Sequence, residues 1–169
     1  MFYPGIERKV SQLREELNIT SPPVDLDKVL DHYELTVDFK DFGEKNSGVL
    51  YVKEGKGIIG VNLNHVKERK RFTIAHEIGH YVLHKKKGEQ LFVEDYLYRD
   101  QETETGEKRQ EREANAFAAA LLMPKDLLAK EVKENQLDVS HESAIETLAE
   151  KFKVSQIAMT YRLTNLKWI

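Results

Sequence analysis

The sequence predicts an α+β protein in which a small, mostly antiparallel sheet packs on one long helix, with further helices towards the C-terminus. Three observations predict it. Segments of alternating or continuous apolar residues lie between positions 35 and 62. Strings with apolar residues every three or four positions fill much of the remainder. The 169 residues are 40% hydrophobic and 33% charged, which suits one packed core beneath a well-solvated surface.

The elements follow in order. Ile6, Val10, Leu13 and Leu17 recur at helical spacing, so residues 5–18 form an amphipathic helix. Pro22 and Pro23 end it, and Val24, Leu26, Val29 and Leu30 cover one side of a short second helix. "LTVDFKDF" alternates as a half-buried strand does. "GVLYV", "EGKG" and "GIIGVN" read as a hairpin turned on glycines, which gives a three-stranded sheet. Residues 65–84 form one helix with Asn64 as its N-cap. Residues 85–106 are charged and aperiodic, the pattern of a functional or mobile loop that could serve as a lid. "EKRQEREANAFAAALLM" is a strong helix stopped by Pro124, which can open another over 125–134. Two last helices break near 153–155. The expected organisation is a catalytic core over 1–124 and a helical segment over 125–169 packed on it as one domain.

Composition narrows the chemistry. The net charge of −3 shows no global basic excess that would point to nucleic acid. There are no cysteines, so disulfides and thiolate metal sites are excluded, and any metal is held by histidine, carboxylate and water. The N-terminus lacks the apolar run of a signal peptide, and no segment is apolar enough to span a bilayer. A soluble, cytoplasmic protein is expected.

"FTIAHEIGHYVLH", residues 72–84, carries the chemistry. On a helix, positions four apart share a face, so His76 and His80 can present their imidazoles to one ion. Glu77, on an adjacent face, can touch water bound to that ion. This H-E-x-x-H arrangement serves zinc peptidases: the metal acidifies the water and polarises the scissile carbonyl, and the glutamate takes and returns protons. The bland alternative is an ordinary helix with well-placed histidines. Phe72, Ile74, Ala75, Ile78, Val82 and Leu83 argue against it, because they bury the helix, and buried histidines and a glutamate need partners. Gly79 leaves room for another element to pack closely.

Three protein ligands are required. His84 is eight helical rises from His76, about 12 Å along the axis, too far to share an ion on a straight helix. It is better placed as a C-terminal or supporting residue. Glu111 and Asn115 of "EREAN" are four apart on the alanine-rich helix; Glu111 could ligate while Asn115 orients a ligating histidine. Glu113 is the rival, but it points roughly 200° away from Glu111, so only one of them can face the ion. Tyr96 and Tyr98 could stabilise an oxyanion but more often anchor a loop. His32, His65 and His141 read as surface or capping residues.

"PPVDLDKVLDHYELTV", "RKRFTIAHEIGHYVLH", "EREANAFAAALLMP" and "LAEKFKVSQIAMTYRLTNL" together resemble the ImmA/IrrE family of zinc metallopeptidases, in the family's order and over most of the chain. The resemblance implies a zincin-like core, one Zn2+ per chain held by His76, His80 and Glu111, and Glu77 as general base. It also implies a protein substrate: family members act on helix-turn-helix repressors of phages and integrative elements. Zincins commonly bind substrate as an added strand, and Ile58, Ile59, Gly60 and Val61 are the candidate edge.

The tail has a helix-turn-helix outline with Lys151, Lys153, Arg162 and Lys167. Ile157, Ala158, Tyr161, Leu163 and Leu166 leave few polar residues for bases, which favours packing on the core or gripping a repressor over binding DNA. Three functions therefore compete: a zinc protease that cleaves a repressor, a non-catalytic zinc-containing regulator, and a DNA-binding regulator. Glu77 favours the first, since a structural zinc site has no need of a general base. Manganese, iron or cobalt could replace zinc in such a site.

Overall fold

Strand β1 (Leu35–Lys40) begins the sheet, with Leu35 buried and Asp38, Phe39 and Lys40 exposed. The computed structural model describes residues 2–43, 46–54, 56–85, 90–95 and 106–169. Strands β2 (Asn46–Lys53) and β3 (Lys56–Asn62) form the expected hairpin, closed where Lys53 faces Lys56. A fourth strand, β4 (Gln90–Asp95), pairs antiparallel with β2, so that Leu50 faces Phe92. The order is β1-β3-β2-β4, and β1 runs parallel to β3.

Two expectations need correction. Among the described residues the sheet has four strands, because "QLFVED" inside the supposedly irregular 85–106 segment is one of them. Its three central apolar residues are too few to show a period amid flanking charge. The second concerns Ile58, Ile59, Gly60 and Val61, expected at an edge. They are interior, with β2 on one side and β1 on the other. A parallel partner separated in sequence by β2 leaves no local signal at β3.

The sheet buries Leu50, Val52, Ile59 and Val61 on the face towards helix α3 (Lys67–His84). This is the alternation of a sheet covered on one side. Ile58 and Leu91 point the other way and stay exposed. The α3 helix starts later than expected: Val66 is its N-cap and makes no side-chain bond. Asn64 instead gives its N–H to Asn62 Oδ1 at 3.1 Å, finishing the turn out of β3. Helix α2 (Leu26–His32) precedes β1, and helix α4 (Gly106–Leu122) follows β4.

By internal packing the chain divides into residues 26–118 and a unit made of 1–25 with 119–169. The first unit holds α2, the sheet, α3 and α4 as far as Ala118. The second holds α1 (Pro4–Glu16), α5 (Lys125–Glu134), α6 (Glu142–Phe152) and α7 (Gln156–Asn165). In this division α1 groups with the C-terminal helices, because it is anchored far along the chain. Arg14 donates to both carboxylate oxygens of Asp126, 112 positions away, at 2.7 and 3.0 Å. Arg162 donates to both oxygens of Glu7, at 2.5 and 2.9 Å, and to the Met123 carbonyl at 2.9 Å. No local sequence pattern announces such pairs.

The break between α6 and α7 lies where the sequence places it. Lys153 is left-handed, with φ 53°, and the Ser155 hydroxyl accepts the Ala158 N–H at 3.1 Å. Arg162 is only 4% exposed, so it serves this helical unit and is not part of a basic surface. Arg162→Ala should lower unfolding free energy by about 3 kcal/mol, the cost of orphaning the partner of a buried pair. Urea denaturation measures it, and a loss below about 0.5 kcal/mol, the range of surface substitutions, would show the bridge to be ornamental.

Candidate metal centre

Helices α3 and α4 approach closely because small residues face each other. A Cβ added to Gly79 would lie 3.1 Å from both Cα and O of Ala114 and 3.2 Å from Cβ of Phe117. Those spacings are already tight, so α4 approaches to within a methyl group's width of α3. Ala114, Phe117 and Ala118 are fully buried at this contact. That proximity carries a side chain of α4 to the histidines of α3.

His76, Glu77 and His80 are 0%, 0% and 2% exposed. The two histidine Nε2 atoms lie 3.0 Å apart. Glu111 reaches both: Oε2 is 3.2 Å from Nε2 of His76, and Oε1 is 2.9 Å from Nε2 of His80. Among the described residues this trio is the group whose donor atoms converge closely enough to hold a metal ion. Tetrahedral ligands at zinc-type bond lengths sit about 3.3 Å from one another, so the observed separations match an ion-centred set. Burial pushes the Glu111 carboxyl up, but hydrogen bonds from His76 and His80 and their charge outweigh it and bring it down to about 2.

Supporting contacts fix these groups. Asn115, one turn after Glu111, accepts the Nδ1–H of His76 on Oδ1 at 3.2 Å, which fixes the angle of that ring while its Nε2 faces the centre. Glu113 points elsewhere, as helical geometry requires, and takes the Arg109 Nε–H at 2.9 Å. His84 is also outside the trio. Its Nε2 donates to the Gln110 carbonyl at 3.2 Å and lies 3.7 Å from Glu113. Burial, followed by the charge of His80, lowers its pKa below the usual histidine value. Its role is to tie the end of α3 to the turn of α4 that bears Glu111. His141 lies 3.5 Å from Asp138 in the unit of C-terminal helices. Tyr96 and Tyr98 fall outside the described residues.

Sequence reasoning missed Gly48 and Phe92. Gly48, on β2, sits against α3 where a Cβ would collide with the Thr73 methyl and lie 3.0 Å from Oε1 of Glu77. The strand thus forms a wall against which the Glu77 carboxylate is seated. Thr73 is 2% exposed and β-branched, so it has little freedom to move away. Gly48→Ala should destabilise the protein by about 1–3 kcal/mol through overpacking, read as a fall in thermal midpoint. An unchanged midpoint would mean the strand can back away. Phe92 stacks on His80, with ring centroids 5.0 Å apart and planes at 26°. The apolar triplet in "QLFVED" was the available clue, and the surrounding charge hid it.

The chain is similar to known proteins along most of its length. The model of the IrrE N-terminal-like domain (Peptidase_M78) matches residues 30–164, which include the histidine motif and "EREAN". No curated protein matches the chain significantly. A solved structure of a Mycobacterium tuberculosis transcriptional regulator shares its fold, with a TM-score of 0.65 at 16% identity. The match covers 98% of this chain and 48% of that one, so the chain spans about half the length of that structure. No helix among the described residues is long and apolar enough to cross a membrane. With the family model covering most of the sequence, the chain belongs to the IrrE N-terminal-like family of peptidases.

Proposed function

We propose that this protein is a zinc-dependent endopeptidase that works in the cytoplasm and cleaves a helix-turn-helix repressor of a phage or mobile element, releasing its genes. The observation that carries the proposal is the convergence of His76, His80 and Glu111 on one point, with buried Glu77 next to it in sequence and pressed against β2. Two imidazoles and a carboxylate in near-tetrahedral spacing favour zinc, with manganese, iron or cobalt as competitors. A bound ion would supply Lewis acidity, lowering the pKa of water and polarising the scissile carbonyl.

The chain's own residues do the rest. Glu77 accepts the proton of the attacking water and returns it to the departing amide nitrogen. Asn115 holds His76 in one tautomer. A substrate strand has a candidate docking edge on β4, since among the described residues β4 pairs only with β2. This supplants the β3 edge. The repressor as target follows from the resemblance to the ImmA/IrrE family, to which the family match lends support.

The test is incubation of the zinc-loaded protein with the repressor encoded beside it, read by gel and by mass spectrometry of the fragments. Cleavage by the wild type and none by Glu77→Gln supports the protease. Bound zinc with an intact repressor would instead favour a non-catalytic regulator, the reading to which the shared regulator fold lends some weight.

A further inference from the structure

A histidine that ligates through Nε2 must also be held in ring angle, because its second side-chain torsion is broad and roughly two-fold. A hydrogen bond on the other ring nitrogen ordinarily does this. His76 has such a bond, from Nδ1 to Asn115. His80 is different. Its Nδ1 is buried and, among the described residues, has no hydrogen-bond partner.

What lies against the His80 ring is Phe92. The 5.0 Å spacing and 26° tilt are those of an offset stack. The His84 ring is also near, at 5.7 Å, but is inclined by 56° and does not lie flat on His80. Phe92 is itself placed by the ladder, opposite fully buried Leu50 of β2. The angle of His80 therefore depends on β4 keeping its register.

We infer that Phe92 is a positioning residue of the metal centre, holding the His80 imidazole by ring stacking where His76 is held by a hydrogen bond. The inference rests on His80 being a ligand, as proposed above. It makes β4 a double-purpose strand: its inner face orients a ligand, and among the described residues it is one of the two end strands of the sheet, where a strand could add.

The experiment compares full-length wild type, Phe92→Leu, Phe92→Tyr and His76→Ala. Zinc affinity is measured by competition with a chromogenic chelator, and the absorption bands of the cobalt-substituted proteins are recorded. Leucine keeps the apolar bulk without the flat ring, so zinc affinity should fall about tenfold, the lower end for losing an orienting partner. Its cobalt bands should shift. Tyrosine keeps the ring and should stay within about twofold of wild type. Leucine binding as tightly as phenylalanine, or tyrosine binding as weakly as leucine, would overturn the inference. If the leucine variant does not fold, Phe92→Ile is judged by the same criterion. The control isolates the underlying reading: equal zinc in wild type and His76→Ala means the ion is not bound at this centre at all. Loss of zinc in His76→Ala with none in Phe92→Leu sinks only the role of Phe92.

Discussion

Glu77→Gln is expected to slow peptide-bond hydrolysis by about 10²–10⁴-fold, the usual worth of a positioned general base. Glutamine has nearly the same shape, so it should sit against Gly48 and Thr73 as glutamate does. It cannot accept a proton from water, however, and the loss should appear in kcat with little change in KM. Zinc content should stay at the wild-type level, because Glu77 is not among the converging donors. A variant that also lost its ion would reveal a structural role, and one that kept full activity would remove Glu77 from the chemistry.

Glu111→Ala is the second large effect. It leaves two imidazoles at the centre where three protein ligands are needed, and zinc affinity should drop by about 100-fold or more, beyond the range for losing a supporting contact. Competition with a chelator measures the drop, and undiminished affinity would transfer the third position to another residue. The same carboxyl makes a prediction about pH. Held down to about 2, Glu111 stays ionised far into acid. Its lowered pKa stabilises the fold fully above its ordinary value of 4.5, and that share is lost as pH falls towards 2. Urea denaturation repeated at falling pH should therefore show stability declining from about pH 4.5 towards 2. Stability that did not change across that window would contradict this.

The centre was readable because its parts repeat at the helical interval. His76 and His80 are four apart on one helix, and Glu111 and Asn115 are four apart on another, with alanines between them and the first. The structure brings Asn115 to His76 and turns Glu113 away, both as a period of 3.6 residues dictates. Sheet order was not readable in the same way. That β3 lies inside the sheet depends on β1 pairing across an intervening strand, and nothing in "GIIGVN" records it. The strand β4 was hidden because six residues in a charged stretch carry too little pattern. The anchoring of α1 by Arg14 and Arg162 depends on partners 112 and 155 positions away.

The contact at Gly79 bears on how such a protein is found in a genome. Written as H-E-x-x-H, the motif offers two positions as interchangeable, yet neither is so here. Ile78 is completely enclosed, and a Cβ at Gly79 would meet the Ala114 backbone at 3.1 Å, so that α4 would have to back away by a few tenths of an ångström. The effective signature of this chain is closer to H-E-I-G-H followed about thirty residues later by E-x-x-A-N. Its second half encodes the spacing that its glycine permits. A search that treats the two halves as one pattern would separate two-helix centres of this kind from the many helices in which two histidines fall four apart by chance.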